Sequence, residues 1–257
     1  MEVKNKKIVV TGASKGIGKN FCKRMAQENV QLALVVRKRD VAFEEMLISF
    51  GAKSVKTFEC DLSDLNELKK TTEELKTFEP DILFNNAGLL TGGLLEEQNM
   101  DEIHKMFSVN INALVHLTHG ILPGMIARKR GKIVNHGSVS SVMYFPCAST
   151  YAASKAAVLA FTQSLATELK STGVSTLLLL TPGVKTEMFD KIAPLYGNHI
   201  EMKIPYISTE QYVEQIFEAI VEDIEVLTPS GLTGLNLKLA KYFPPVFKYF
   251  AQKTFKR

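Results

Sequence analysis

Cysteine is scarce in this chain, and from one long stretch acid is missing altogether. The 257 residues include three cysteines, Cys22, Cys60 and Cys147, scattered without metal-ligand or disulfide spacing. A disulfide-stapled secreted scaffold is thereby excluded, and a reducing compartment fits. The five histidines, at 104, 116, 119, 136 and 199, have no ligand spacing either, so no metal is expected. No apolar run reaches the ~18 residues a spanning helix needs. The opening MEVKNKKIVVTG has basic residues but no long apolar stretch, so no signal peptide is expected. These absences point to a cytoplasmic protein. Acid disappears from Thr228 to Arg257, where there are six basic residues; removing them from the net +4 leaves a body of −2. A slightly acidic body with a basic, aromatic tail is a poor nucleic-acid binder, and no such partner is expected.

What is present is an alternation. Short β-branched runs recur as KIVVT, LALVV, SVKTFEC, DILFNN, KIVNHG and STLLLL. Between them lie segments with helical apolar spacing, at Phe21 to Gln27, Leu65 to Leu75, Met100 to Met125 and Ala156 to Leu169. The runs are nearly continuous in hydrophobicity, as strands covered on both faces are. This rhythm predicts an α/β fold with one Rossmann-type, doubly wound parallel sheet and helices on both faces. No repeat, low-complexity tract or linker interrupts it before about residue 228. We therefore expect one catalytic-size domain over 1–228 and a C-terminal extension over 229–257.

VVTGASKGIGKNF follows the first strand and opens the first helix. Gly12, Gly16 and Gly18 permit a tight turn and let a pyrophosphate approach the helix N-terminus. Such a turn gains weight from its place between strand and helix. At the end of the second strand, where an NAD-selective protein carries an acid, the sequence reads VVRKRD. Arg37, with Lys15 from the glycine turn, would form charge-assisted bonds to a 2′-phosphate, which favours NADP(H) over NAD(H). Asp40 keeps open the reading of a merely solvated basic turn.

STYAASKAA places Tyr151 and Lys155 one helical turn apart on the same face. Taken alone, this is a helix-start tyrosine beside a solvated lysine. TGASKGIG, NNAG at 85–88, GSVSS at 137–141 and YAASK at 151–155, in that order, resemble the short-chain dehydrogenase/reductase family from about Lys7 to Thr186. The resemblance implies a catalytic quartet of Asn110, Ser138, Tyr151 and Lys155. It places Ser14 and Ile17 in the phosphate turn, Asp61 at the adenine amine with Leu62 beside it, and Asn86, Ala87 and Gly88 on the cofactor floor. Pro182, Gly183, Val184 and Thr186 would hold the carboxamide side, and Tyr151 and Lys155 the nicotinamide ribose. GSVSS also offers Ser140 and Ser141; Ser138 is preferred because it follows its strand directly. On charge, the Lys155 ammonium plus an oxidised nicotinamide would favour phenolate at Tyr151 and lower its pKa from about 10. Tyr151 would then act as general acid or base, Ser138 would hydrogen-bond the reacting oxygen, and Asn110 would hold a water linking Lys155 to solvent.

Lys185 to Ser208 reads as a lid over an apolar cleft, carrying Met188, Phe189, Leu195, Tyr196, Met202 and Ile204. With SVMYFP at 141–146 it suggests a greasy ketone, aldehyde or secondary alcohol as substrate. The tail, NLKLAKYFPPVFKYFAQKTFKR, is split by Pro244 and Pro245 into two short amphipathic pieces. Two readings stay open for it: packing on the body or in a homo-oligomer, and peripheral contact with an anionic membrane. The expectation is an NADP(H)-dependent oxidoreductase; its rival is a cofactor-binding sensor or scaffold without catalysis.

Overall fold

Six predicted strands and a seventh, unpredicted one form a single parallel sheet in the computed structural model, which describes residues 1–200 and 204–257. The strands are β1 (Lys7–Thr11), β2 (Gln31–Val36), β3 (Ser54–Glu59), β4 (Ile82–Asn85), β5 (Gly131–His136), β6 (Val174–Leu179) and, after the short pair β7 (Gly183–Val184) and β8 (Tyr206–Ile207), β9 (Val226–Leu227). Their order is β3-β2-β1-β4-β5-β6-β9. The order reverses at β1, whose neighbours are β2 and β4, and this opens a crevice beyond the strands' carboxyl ends. β9 escapes the sequence pattern because it is two residues long. The edge strand β3 alternates exposed residues with partly covered ones, only Phe58 being buried, unlike the covered central strands.

The helices are α1 (Gly16–Ala26), α2 (Val41–Ser49), α3 (Leu65–Phe78), α4 (Met100–Phe107), α5 (Ala113–Ala127), α6 (Ser149–Glu168), α7 (Glu187–Asp190), α8 (Ile192–Tyr196), α9 (Thr209–Val221), α10 (Gly231–Tyr242) and α11 (Pro244–Lys253). Several starts are chemically marked. Asp40, Asp64, Asn99 and Ser208 each accept a backbone N–H from the first turn of α2, α3, α4 and α9. The sheet separates two cores. Phe21, Met25, Tyr212 and Ile216 pack on one face, and Leu75, Leu117, Met125 and Leu165 on the other. Each such side chain contributes about 1.5–3 kcal/mol on burial.

The segment Met100 to Met125, expected as one helix, is interrupted by a π-turn over Ser108–Asn112. The extra residue in that turn places Asn110 in the interior, at 1% exposure. The 229–257 segment forms α10 and α11, with Pro244 in the first turn of the second. Leu237, Ala240 and Phe247 join a core cluster with Leu114, Val158 and Leu178. Further along, Phe255 bridges to Ile200, and Arg257 pairs with Glu96. No helix among the described residues is long and apolar enough to cross a membrane.

Candidate active site

The crevice beyond β1, β4, β5 and β6 holds a cavity of about 820 Å³. At one end the β1–α1 turn forms its floor. Gly12 sits at φ +66°, and a Cβ there would meet the Ala87 Cα at 2.9 Å. Gly18 lies behind the turn, where a Cβ would collide with Asn86 Nδ2 and with the Gly12 carbonyl oxygen. Asn86 braces the turn by donating to the carbonyls of Thr11 (2.9 Å) and Gly12 (3.2 Å). No side chain caps α1 and no acid lies in its first turn. This side-chain-free cradle at an open helix N-terminus fits a pyrophosphate.

The rim of this end answers the question left by VVRKRD. Asp40 caps α2 by accepting from Phe43 N at 3.1 Å, and Arg39 is bound to the Glu44 carboxylate at 2.7 Å. Arg37 is exposed and lines the cleft. Lys15 also lines it, but its ammonium is paired with Glu187 at 2.9 Å, an acid the sequence reading did not connect with it. Asp61 accepts from Ser63 and Lys105, which hold its carboxyl below the usual range.

At the other end, Ser138 follows β5 and Tyr151 lies in the first turn of α6. Both line the cleft, and the Ser138 hydroxyl bonds the phenol. Ser138 Oγ also accepts from Ser140 N at 3.1 Å. Ser141 is turned away onto the Ser138 carbonyl at 2.5 Å; Ser140 lines the cavity, but the phenol's hydrogen bond is to Ser138. Lys155 is buried behind Tyr151, its Nζ 5.8 Å from the ring centroid and 2.7 Å from the His136 carbonyl oxygen. Asn110 lies behind the wall too. Its Oδ1 accepts from Leu89 N at 2.8 Å, and its Nδ2 donates to Leu89 O and Ser154 Oγ, each at 3.0 Å. Asn110 Oδ1 and Lys155 Nζ face one spot beside Gly88, where a Cβ would lie 3.4 and 3.7 Å from them.

Electrostatics depart from the sequence argument in one respect. Burial pushes the Tyr151 phenol up to about 12, only partly opposed by the Ser138 hydrogen bond. Burial also pulls Lys155 down to about 8. Desolvation thus moves each group toward its neutral form and outweighs the mutual effect expected from the YxxxK spacing. The second cation in that argument, a nicotinamide ring, is not part of the chain.

His136, which the sequence marks only as a histidine without ligand spacing, lines the cleft. Its Nδ1 meets Asn86 Oδ1 at 3.1 Å, which assigns the proton to that nitrogen. Burial and the Lys155 charge hold its pKa near 3, so the ring is neutral. Its place at the carboxyl end of β5 was the available signal.

Most sequence-predicted site residues meet here. Gly12, Ser14, Lys15, Gly16, Ile17, Arg37, Asp61, Leu62, Asn86, Ala87, Gly88, Ser138, Tyr151, Pro182, Gly183, Val184 and Thr186 all line the cavity. Gly18, Asn110 and Lys155 support it from behind. The outer wall is apolar: Met143 and Phe145 from the loop after β5, and Met188, Phe189, Tyr196 and Ile204 from 185–208. Leu195 packs instead beside Cys147 in a separate cluster, and Met202 lies outside the described residues. Leu239, Phe247 and Phe250 close the wall from α10 and α11, a contribution the sequence reading did not foresee.

A reversed-order parallel sheet, a glycine cradle at its switch point and a Tyr-x-x-x-Lys pair beside a serine define a class of dinucleotide-fold oxidoreductases. The chain belongs to the short-chain dehydrogenase family, whose sequence model matches residues 6–196. It is 32% identical over 226 residues to a fatty acyl-CoA reductase of Acinetobacter baylyi, spanning 86% of this chain and 74% of that protein. To a very-long-chain 3-oxoacyl-CoA reductase of Neurospora crassa it is 32% identical over 187 residues, 70% of this chain and 56% of the other. Among solved structures, a short-chain dehydrogenase from Sphingobium yanoikuyae in complex with NADPH superposes with a TM-score of 0.79 at 24% identity, covering 98% of this chain and 97% of that one.

Proposed function

We propose that this protein is an NADP(H)-dependent reductase of hydrophobic ketones or aldehydes. The observation that carries the reading is a half-buried Tyr151, flanked by the buried Ser138 and Lys155, opening into an apolar-walled cleft. The β1–α1 cradle, Asp61, Leu62, Asn86 to Gly88 and Pro182 to Thr186 would hold the dinucleotide, with Arg37 facing the 2′-phosphate. When bound, NADP(H) supplies the hydride. The NADPH complex of the Sphingobium relative supports the choice, as does the lack of an acid after β2 at the cleft.

The chain's own part is proton management. At neutral pH a phenol with a pKa near 12 holds its proton, so Tyr151 is set to donate to a carbonyl oxygen. The Ser138 hydroxyl donates to the same oxygen and stabilises its developing charge. Lys155, an ammonium below about pH 8, then steadies the tyrosinate and returns a proton past Asn110 and Gly88. The apolar wall excludes water and takes an acyl or alkyl chain, in keeping with the fatty acyl and very-long-chain 3-oxoacyl groups in the names of the two curated relatives.

The test is NADPH consumption across ketones and aldehydes of increasing chain length. Tyr151→Phe should lower turnover by roughly 10²–10⁴-fold, while NADPH binding, read by fluorescence, is retained. Equal rates for the two proteins refute the chemistry. Rates that do not rise with chain length refute the apolar-substrate assignment.

A further inference from the structure

The helices that complete the cleft wall carry a second apolar face. On α10, Leu232, Leu235 and Tyr242 recur at helical spacing, and on α11 Val246, Tyr249 and Phe250 do the same. Leu232, Leu235, Tyr242, Phe243 and Tyr249 are each 61–67% exposed. The opposite stripe, Leu237, Ala240 and Phe247, is already buried in the core. Both helices are therefore apolar on two sides, one satisfied by the body and one facing water. An exposed cluster of large apolar side chains on one helical pair marks an interaction surface.

Charge selects the occupant. Lys238, Lys241, Lys248 and Lys253 are exposed among these apolar residues, and the segment Thr228 to Arg257 has no acid. A second copy docking through the same surface would oppose two acid-free basic patches. An anionic bilayer offers hydrocarbon beneath a negative surface and complements both properties. Phe250 adds the geometric link: it is 54% exposed on this surface and also lines the cavity.

We propose that α10 and α11 form a docking surface for anionic lipid bilayers, placing the cleft mouth at the membrane. A long-chain carbonyl compound dissolved in the bilayer would then reach Tyr151 without crossing bulk water. This second step rests on the reading of the cleft as a site for apolar carbonyl compounds; the docking itself does not.

Flotation of the full chain with vesicles tests the docking without turnover. The probes are vesicles of phosphatidylcholine alone and of phosphatidylcholine mixed with phosphatidylserine. Wild type should float with the anionic vesicles, and added salt should weaken the association. Leu235→Ser with Tyr249→Ser, neither lining the cleft, should reduce partitioning roughly tenfold or more; Lys238→Glu with Lys248→Glu should do likewise. Both variants should keep wild-type rates on a short, water-soluble ketone, which shows that they are folded. Wild type remaining unbound to anionic vesicles overturns the proposal. So does sedimentation showing a dimer that the Ser variant dissolves, which would assign the face to a second copy. If flotation succeeds but no carbonyl compound is reduced, the docking stands and the catalytic reading alone fails.

Discussion

Replacing Lys155 with methionine should abolish turnover while relieving the fold of a burden. Lys155 is 4% exposed, and its pKa falls from 10.5 to about 8 on burial, a difference worth about 3 kcal/mol. Below about pH 8 both folded and unfolded chains hold this proton, and the folded state bears the cost of a desolvated ammonium. Between about 8 and 10.5 the folded state has released the proton and the unfolded chain still binds it, so stability rises with pH in that window. Methionine has similar reach and cannot titrate. It also leaves the His136 carbonyl without its 2.7 Å partner, which costs about 1–3 kcal/mol. At about pH 7 the variant should therefore match wild type or exceed it by up to about 2 kcal/mol. Urea denaturation of both proteins across pH isolates the effect, because every other group is common to the two. The stability difference should move by about 3 kcal/mol in favour of wild type between about pH 7 and 10.5. A difference that stays flat would refute the assignment of a costly buried ammonium.

Arg37→Ala should weaken NADPH binding by roughly 10–100-fold, as loss of one charge-assisted contact does, and NADH binding by less than about 2-fold; equal losses in fluorescence titration would remove Arg37 from the 2′-phosphate. Glu187→Gln should release Lys15 from its 2.9 Å ion pair and tighten NADPH severalfold, whereas an unchanged or weaker Kd would show that the pair does not compete with the cofactor. His136 should make the fold acid-sensitive: the unfolded ring takes up a proton near pH 6.5, which the folded ring refuses until about 3, so stability falls as pH drops through that window. His136→Asn should flatten part of that fall in urea midpoints, and an unaltered slope would count against an imidazole held neutral in the cleft wall.

The central strands and the glycine turn were legible because both obey local rules. Continuous apolar runs report strands covered on two faces, and GASKGIG needs its glycines wherever α1 meets the Asn86 brace. What stayed hidden depends on residues far apart in sequence. Lys15 and Glu187 meet only once β6 and α7 are placed, so a cation counted as available turned out to be engaged. Asp40 kept open the reading of a solvated basic turn and is instead a helix cap, which becomes visible once the start of α2 is placed. The π-turn at Ser108–Asn112 has no signature in an apolar periodicity, which reads straight through it. Tyr151 and Lys155 were correctly seen as neighbours. How far burial displaces each pKa in the chain alone was not readable from that spacing, because burial depth is a property of the whole fold.

The proposed proton donor and one side of the cleft's apolar wall come from separate stretches of chain. Ser138 follows β5 and Tyr151 and Lys155 belong to α6, whereas Leu239, Phe247 and Phe250 belong to α10 and α11. A chimera exchanging residues 229–257 for the equivalent stretch of a relative would carry the same reaction to different molecules. Diversification of such a catalyst can therefore proceed by trading one short cassette, with the reactive machinery left untouched.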